Sequence, residues 1–512
     1  MTLGRMAVPF LNTVTTGTTG ATAIAFGLGA FCVLGFAPFD AYFAVWPAPT
    51  FALGGLFLLW RKATSPRQAM LLGLAWGAGF FLFGVSWVYV SLSQFGGMAP
   101  AAAAGATLLF CLYLALFPAL AGGLFRRWRS NALRDALLFA GLWTLAEWLR
   151  GSLFTGFPWL AVGYSQSPPS PLAGWASVLG VYGVGFIVAL IAGLIGQMCV
   201  AGWRQPATWA AILLLLGLGG LLHRMDWTQP VGDPITVSLL QGNVPQGDKW
   251  DPKRLSLSID TYLHLARTHP TTLTVLPETA LPLFFDEVPR QVLRSLTSHG
   301  SALIGVALST ADGGYSNGAV TLTPELVVGA YTKHHLVPFG EYGPPGFAWF
   351  FRFASIPMSD FTAGPARQEP LAIAGQRIAP NICYEDLFGG ELLGALPAAT
   401  LLVNLSNTAW FGDSLAQPQH LQIAQLRAIE TGRVMLRATN TGMTAMVTPD
   451  GLVAAVLTPF TTGALVVQAQ GRTGLTPYAR WGDLLALLIA LGACLTALRR
   501  REVKACKQPD QS

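Results

Sequence analysis

The stretch Pro380-Asn381-Ile382-Cys383-Tyr384-Glu385-Asp386 decides how the rest of the chain is read. The apolar run before it, Leu371-Ala372-Ile373-Ala374 and then Ile378-Ala379, reads as strand and stops at a cysteine. The residues after it, Leu387-Phe388-Gly389-Gly390-Glu391-Leu392-Leu393, read as the opening of a helix. A cysteine at such an elbow is expected at a helix N-terminus, where partial positive charge favours the nucleophilic thiolate. The competing reading is a structural cysteine, because a free thiol packs like a small hydrophobe. The stretch alone leaves both open.

The chain around it is apolar: 512 residues, 52% hydrophobic, 11% charged, mean hydropathy +0.49. Soluble domains carry roughly 25% charged residues, so a large part of this chain is expected in a membrane. The net charge of +6 does not point to nucleic acid, because the basic residues fall in short loops between apolar runs. Eight runs approach the roughly 20 residues that a bilayer span needs. They are 19–37, 42–60, 69–92, 100–125, 132–149, 177–200, 207–223 and 482–498. Pro47 and Pro49 interrupt the second, and Glu147 lies in the fifth. The first is long for a cleaved signal and lacks a small-x-small site.

Lysine and arginine alternate from loop to loop. Arg61, Lys62 and Arg67, then Arg126, Arg127, Arg129 and Arg134, then Arg204, then the tail with Arg499, Arg500, Arg501, Lys504 and Lys507 form one set. The loops between are nearly bare, with Arg150 the exception. By the positive-inside rule both termini are cytoplasmic, and the segment between the seventh and eighth runs lies outside. The expected division is seven helices in 1–228, an exported domain in 229–476, and a last helix with a basic tail in 477–512.

That exported segment is large enough to fold on its own core. Ile235–Leu240, Leu273–Leu276, Leu303–Leu308 and Thr400–Leu405 read as strands. Pro252–Arg267, Val288–His299 and Gln417–Thr431 read as helices. Gly318–Leu322 with Leu326–Tyr331 reads as a hairpin, and Val434–Ala438 and Met443–Val447 as closing strands. Alternating strands and helices with hairpins predict an α/β domain with a mixed sheet. Five of the six cysteines lie in apolar runs or in the tail, leaving Cys383 alone in the exported segment. A lone thiol without a partner there is a nucleophile candidate.

Glu278 and Lys333, like Cys383, sit just beyond strand ends, where ligands gather in α/β sheets. A carboxylate can accept the thiol proton and return it to a leaving group. An ammonium can hold an oxyanion, with the backbone N–H after the cysteine as a second donor. A Cys/His pairing with His334, His335 or His420 competes. His264 and His269 are off one helical face and lack a second cysteine, so no metal is expected.

The set Pro277-Glu278-Thr279-Ala280, Lys333-His334-His335-Leu336-Val337-Pro338-Phe339-Gly340-Glu341 and Cys383-Tyr384-Glu385 resembles the nitrilase, or carbon–nitrogen hydrolase, superfamily. Asn404-Leu405-Ser406-Asn407-Thr408-Ala409-Trp410-Phe411-Gly412 fits it as well. With Phe81–Val90, Glu147–Gly151, Thr155–Trp159, Lys249-Trp250-Asp251 and Gly474–Arg480, the chain resembles the bacterial apolipoprotein N-acyltransferase family over nearly its whole length. Thr408 departs from the family's aspartate.

The resemblance implies a four-layer α-β-β-α domain on a multi-pass helical membrane frame in the inner membrane, with the domain facing the periplasm. It implies no cofactor, and transfer of an acyl chain from a phospholipid, phosphatidylethanolamine being the expected donor, through a Cys383 thioester. The acceptor is the α-amino group of a diacylglyceryl-modified apolipoprotein, and the catalytic set is Glu278, Lys333 and Cys383. Glu341, Tyr384, Glu385, Trp250, Asn407, Trp410 and Phe411 are implied as supporting or substrate-binding residues. Two other readings stand beside it. A membrane-tethered amidase would need only one anchoring span, and a transporter would need more ionisable residues inside the spans.

Overall fold

The computed structural model describes residues 18–39, 45–130, 132–247, 255–344 and 360–505. The chain forms two compact units: Met1–Ser86 with Ala104–Leu221 and Asp483–Ser512, and Trp87–Ala103 with Leu222–Gly482.

The first unit is helical. Its described helices are Thr18–Cys32, Ala48–Lys62, Pro66–Gly84, the greater part of Pro100–Trp128, Ala132–Arg150, Ala176–Ala201, Pro206–His223 and Leu484–Ala505. A helix thus stands at each place where a span is expected, but four have the length and apolarity to cross a membrane: Thr18–Gly35, Pro100–Trp128, Ala173–Ala201 and Pro206–His223. The pair Pro66–Gly84 and Val88–Phe95 adds a fifth if read as one broken span. The reasons for the shortfall are local. The second helix starts at Ala48, with Pro47 and Pro49 at its first turn, where a missing N–H does no harm. Its 15 residues reach about 22 Å, less than a hydrocarbon core of about 30 Å. Ala132–Arg150 includes Arg134, Asp135, Glu147 and Arg150. Close approach of helices rests on small residues. A Cβ on Gly29 would lie 1.9 Å from the Trp76 carbonyl oxygen, and one on Gly79 2.1 Å from that of Phe26.

The second unit carries the strands. In chain order these are Gln229–Pro230 (β1), Ile235–Gln241 (β2), Leu273–Val275 (β3), Leu281–Phe284 (β4), Ser301–Ser309 (β5), Tyr315–Leu322 (β6) and Val328–Thr332 (β7). They continue with Leu371–Ile373 (β8), Gln376–Ile382 (β9), Leu401–Ser406 (β10), Met435–Thr439 (β11), Ala445–Val447 (β12), Val453–Val456 (β13), Gly463–Ala469 (β14) and Arg472–Thr473 (β15). One sheet runs β14-β2-β3-β5-β6-β7 with β4 beside β5, the other β13-β12-β11-β10-β9-β8. Each is parallel at its centre and antiparallel at its flanks. Successive side chains point to opposite faces of a strand, and this alternation sorts the core. Val237, Leu239, Val275, Leu303, Ile378, Ile382, Leu401, Val403 and Leu405 form one cluster between the sheets. Leu240, Ala302, Ile304 and Val306 turn the other way, onto the helices Leu255–Thr268 and Arg290–Leu296. Ala379, Leu402 and Met435 pack against Ala416–Thr431. The layers are therefore helix, sheet, sheet, helix.

The decisive stretch differs from expectation on both sides of Cys383. The run before it is not one strand but a hairpin, β8 antiparallel to β9. Ala374 and Gly375 turn it at φ 51° and 75°, the two positive φ values of a tight primed turn. After Cys383 no long helix opens. Cys383–Leu387 forms a 3₁₀ turn, followed by a helix of four residues, Gly389–Leu392. The helix expected at Val288–His299 is shortened to Arg290–Leu296, since Pro289 precedes its first turn.

Candidate active site

The parallel strands deliver their C-terminal ends to one region. Glu278 follows β3, Lys333 follows β7, Cys383 follows β9, Asn407 follows β10 and Asn440 follows β11. Glu278 and Lys333 are buried, and Cys383 is partly exposed. Lys333 Nζ lies 3.6 Å from Glu278 Oε1 and donates to Glu341 Oε1 at 2.8 Å. The Asn317 amide ties the two carboxylates together, donating to Glu278 Oε1 at 2.7 Å and to Glu341 Oε1 at 2.9 Å. The second oxygen of Glu278 accepts from the Asn407 N–H at 2.8 Å, and that of Glu341 from the Val337 N–H at 2.8 Å. Three loops are thereby fixed on one pair of acids. Asn407 is braced in turn by Gln246 at 2.7 Å and by Asn440 at 3.1 Å.

Cys383 sits at φ 53°, a left-handed conformation that costs a non-glycine residue about 1–3 kcal/mol and clusters at functional sites. Glu385 holds the elbow in that shape. It accepts from the N–H groups of Ile382 (2.7 Å), His334 (2.7 Å) and His335 (3.2 Å) and from the Tyr331 hydroxyl (3.0 Å). One carboxylate thus stitches the cysteine loop to the lysine loop. Burial pushes Glu385 above the usual carboxylate range, against the pull of Lys333 and these backbone donors.

The charges around the thiol set its resting state. Burial, then the nearby Glu278, raises the Cys383 thiol well above its ordinary value, with Glu341 and Asp386 adding to it and Lys333 opposing. The thiolate expected at a helix N-terminus is disfavoured by burial and the neighbouring carboxylates, and a 3₁₀ turn of five residues stands where the helix was expected. These surroundings favour the thiol form of Cys383. Burial by itself would lower Lys333, but Glu341 and Glu278 outweigh it and hold the ammonium above its usual range.

The histidines are engaged elsewhere. The His334 ring meets the Gly364 carbonyl at 2.8 Å, and His335 meets Glu391 at 2.8 Å while stacking on Phe388. His420 Nε2 lies 2.7 Å from Asp386 Oδ1, and Arg437 Nη1 lies 2.7 Å from Asp386 Oδ2. Among the described residues no three His, Cys, Asp or Glu side chains converge as a metal set.

Of the remaining expected residues, Tyr384 is buried edge-on to Phe388, and Trp410 and Phe411 are half-buried, packed on Phe95 and Trp87. The Thr408 carbonyl accepts from Gln417 at 2.9 Å. Trp250 lies outside the described residues. Sequence reasoning missed Asn317, Tyr331 and the buried amides Asn381 and Asn404. Asn404 Nδ2 donates to Asn381 Oδ1 at 2.7 Å and lies 3.3 Å from the Cys383 carbonyl. The available signal was a lone amide inside an apolar strand, which needs a partner once buried.

Comparison with known proteins agrees with this architecture. Residues 28–194 match the apolipoprotein N-acyltransferase N-terminal domain, and residues 236–478 match the carbon–nitrogen hydrolase domain. The chain is 48% identical to an apolipoprotein N-acyltransferase of Nitrosomonas europaea over 93% of its length and 98% of the relative's. It is 45% identical to one of Ralstonia nicotianae, over 89% and 90%. Among solved structures, a CN-hydrolase superfamily protein of Xanthomonas campestris, XC1258, aligns with 46% of this chain and 91% of its own, at 18% identity and a TM-score of 0.37. With relatives of this identity spanning almost the whole chain, the protein belongs to the apolipoprotein N-acyltransferase family and is an acyltransferase.

Proposed function

We propose that Glu278, Lys333 and Cys383 carry the acyl transfer, with Glu278 as base, Lys333 as oxyanion holder and Cys383 as nucleophile. The observation that carries this reading is the Glu278–Lys333–Glu341 cluster, its ammonium buried, beside a thiol whose surroundings disfavour ionisation. Glu278 takes the thiol proton as Sγ attacks the ester carbonyl of a phospholipid. The oxyanion forms near Lys333 Nζ and the Tyr384 N–H, preorganised donors aimed at developing charge. The ester C–O bond then breaks, and Glu278 returns the proton to the departing alkoxide, leaving a thioester and a lysophospholipid. In the second half the α-amine of an S-diacylglyceryl-cysteine attacks the thioester. The C–S bond breaks, the amine loses a proton and the thiol is restored. Preference for an amine over water requires a site that excludes water.

Phosphatidylethanolamine is the proposed acyl donor. Eight membrane crossings are proposed, with the catalytic domain at 229–476, both termini in the cytoplasm and the domain in the periplasm of a bacterial inner membrane. The alternation of basic loops supports that orientation. Glu341 and Glu385 serve as carboxylate partners that hold Lys333 and the two loops. Tyr384, Asn407, Trp410, Phe411 and Trp250 are proposed as supporting or substrate-contacting residues.

The test is intact mass of the full-length enzyme after incubation with phosphatidylethanolamine vesicles. An acyl-sized adduct is expected on the wild type and none on Cys383→Ala. An adduct that persists in Cys383→Ala ends the covalent proposal, and an adduct formed only from a different phospholipid class overturns the donor.

A further inference from the structure

We propose that Trp87, Ser91 and Phe95 are positioning residues for acylation, acting on Glu278 through the turn Thr408–Phe411. The proposal rests on the reading of Glu278 as the base. The segment that carries them follows the helix Pro66–Gly84 and reads by hydropathy as the end of a span, yet it packs within the catalytic unit.

Its contacts converge on one short turn. The Ser91 hydroxyl donates to the Trp410 carbonyl at 2.7 Å. Phe95 packs edge-on against Trp410 with ring centres 5.8 Å apart, and Trp87 against Phe411 at 4.5 Å. Trp87 Nε1 reaches Gln419 Oε1 at 3.4 Å, on the helix that follows the turn. At Gly412, φ is 59° and a Cβ would stand 3.2 Å from Val90, so the chain passes this segment closely where only glycine is at ease.

The local geometry explains why these residues act together. Ser91–Phe95 is a π-helical turn, closed by the Gly96 N–H on the Ser91 carbonyl at 2.8 Å. Such turns occur as single insertions, often at functional sites. The turn they grip is a short 3₁₀ element of four residues, whose last bond runs from the Gly412 N–H to the Ala409 carbonyl at 3.2 Å. Its other support is Gln417, which donates to the carbonyls of Thr408 and Gly412. The residue that caps this turn is Asn407, whose N–H holds Glu278 Oε2 at 2.8 Å. A displacement of Trp410 is therefore transmitted over three residues to the carboxylate. The same carboxylate is also held by Asn317 at 2.7 Å and lies 3.6 Å from Lys333 Nζ, so loosening Asn407 leaves Glu278 bound but misaligned rather than free.

The test uses full-length enzyme with phosphatidylethanolamine, reading acyl-enzyme formation and hydrogen exchange in the peptide that contains Asn407. Ser91→Ala is expected to slow acylation about 5-fold, the equivalent of one neutral hydrogen bond, with half-saturation by phospholipid unchanged. Exchange at Asn407 should rise while the strands keep their protection, and Ser91→Thr should restore both. Phe95→Leu, which keeps apolar volume, should act in the same direction. Wild-type acylation with wild-type exchange in Ser91→Ala overturns the proposal. So does slow acylation with unchanged Asn407 exchange, or a loss of protection spread over the whole unit. If Glu278→Gln acylates normally, the base assignment fails, whereas the exchange result still decides whether the segment holds the turn.

Discussion

Lys333 lies between two carboxylates, 3.6 Å from Glu278 and 2.8 Å from Glu341, while Asp386, three residues beyond Cys383, lies between two bases, His420 and Arg437, at 2.7 Å each. Glu278, Lys333, Asp386, His420 and Arg437 are buried and Glu341 is half-buried, and both clusters act electrostatically on the same thiol. They differ in what is left over. Each oxygen of Asp386 has its own charge-assisted partner, so that carboxylate is engaged at both ends. The Lys333 ammonium makes one hydrogen bond within 3 Å out of the three an ammonium can donate. Its charge is shared by two anions. Unspent donor capacity beside a thiol suits an oxyanion, whereas a carboxylate engaged at both oxygens suits a scaffold.

Removing the cation should have the largest effect. Lys333→Met is expected to slow acyl-enzyme formation by about 10²–10³-fold, the usual loss for an oxyanion donor, measured per folded molecule by intact mass. A near wild-type rate would mean that the ammonium only balances charge. Arg437→Met attacks the Asp386 cluster instead. Breaking a buried pair by removing one partner costs about 3–5 kcal/mol, so melting temperature in detergent should drop sharply while the folded fraction still acylates. Unchanged melting with slow chemistry would place Asp386 in the reaction.

Tyr331→Phe removes one of four donors on Glu385. With the backbone donors intact, a loss near the lower bound for charged hydrogen bonds, about 1.5 kcal/mol, is expected in unfolding measurements. A drop as large as that of Arg437→Met would show that the hydroxyl, not the backbone, holds the elbow. The smallest effect separates proton affinity from catalysis. The Glu278 carboxylate raises the Cys383 thiol and Lys333 lowers it. In the absence of phospholipid, alkylation of Cys383 by a neutral reagent should therefore climb only at alkaline pH. Glu278→Gln should move that curve to lower pH and Lys333→Met to higher pH. Yet Glu278→Gln should slow acylation by phospholipid. If it shifts the alkylation curve upward, the carboxylate is not acting on the thiol.

Much of this arrangement was legible because its polar groups sit where strands end. Glu278, Lys333 and Cys383 announce themselves as lone reactive groups after apolar runs, and the alternation along β2, β9 and β10 separates inner from outer layers. What hydropathy could not show is that residues 87–103 leave the helical unit, since Val88, Val90 and Leu92 look the same in lipid as against a protein turn. The Ala374–Gly375 hairpin escaped notice because alanine rarely accepts positive φ, so an apolar run with one break reads as continuous. The helix expected after Cys383 fails because Asp386 is drawn into its cluster with His420 and Arg437 and Gly389 abuts Arg427. A Cβ there would stand 1.7 Å from its guanidinium. Glu385 was expected as a supporting residue, but its hold on the backbone of His334 and His335 rests on folded geometry that no spacing encodes.

The Asn381–Asn404 pair has a consequence for fidelity of assembly. The two residues face each other on adjacent parallel strands, both fully buried and joined through their amides. A slip of β10 by one residue would set Asn404 against Pro380 or Ile382, leaving a buried amide unpaired at about 1–3 kcal/mol. The pair works as a detent. It admits one alignment of β9 with β10, and with it one height for Cys383 at the mouth of the sheet.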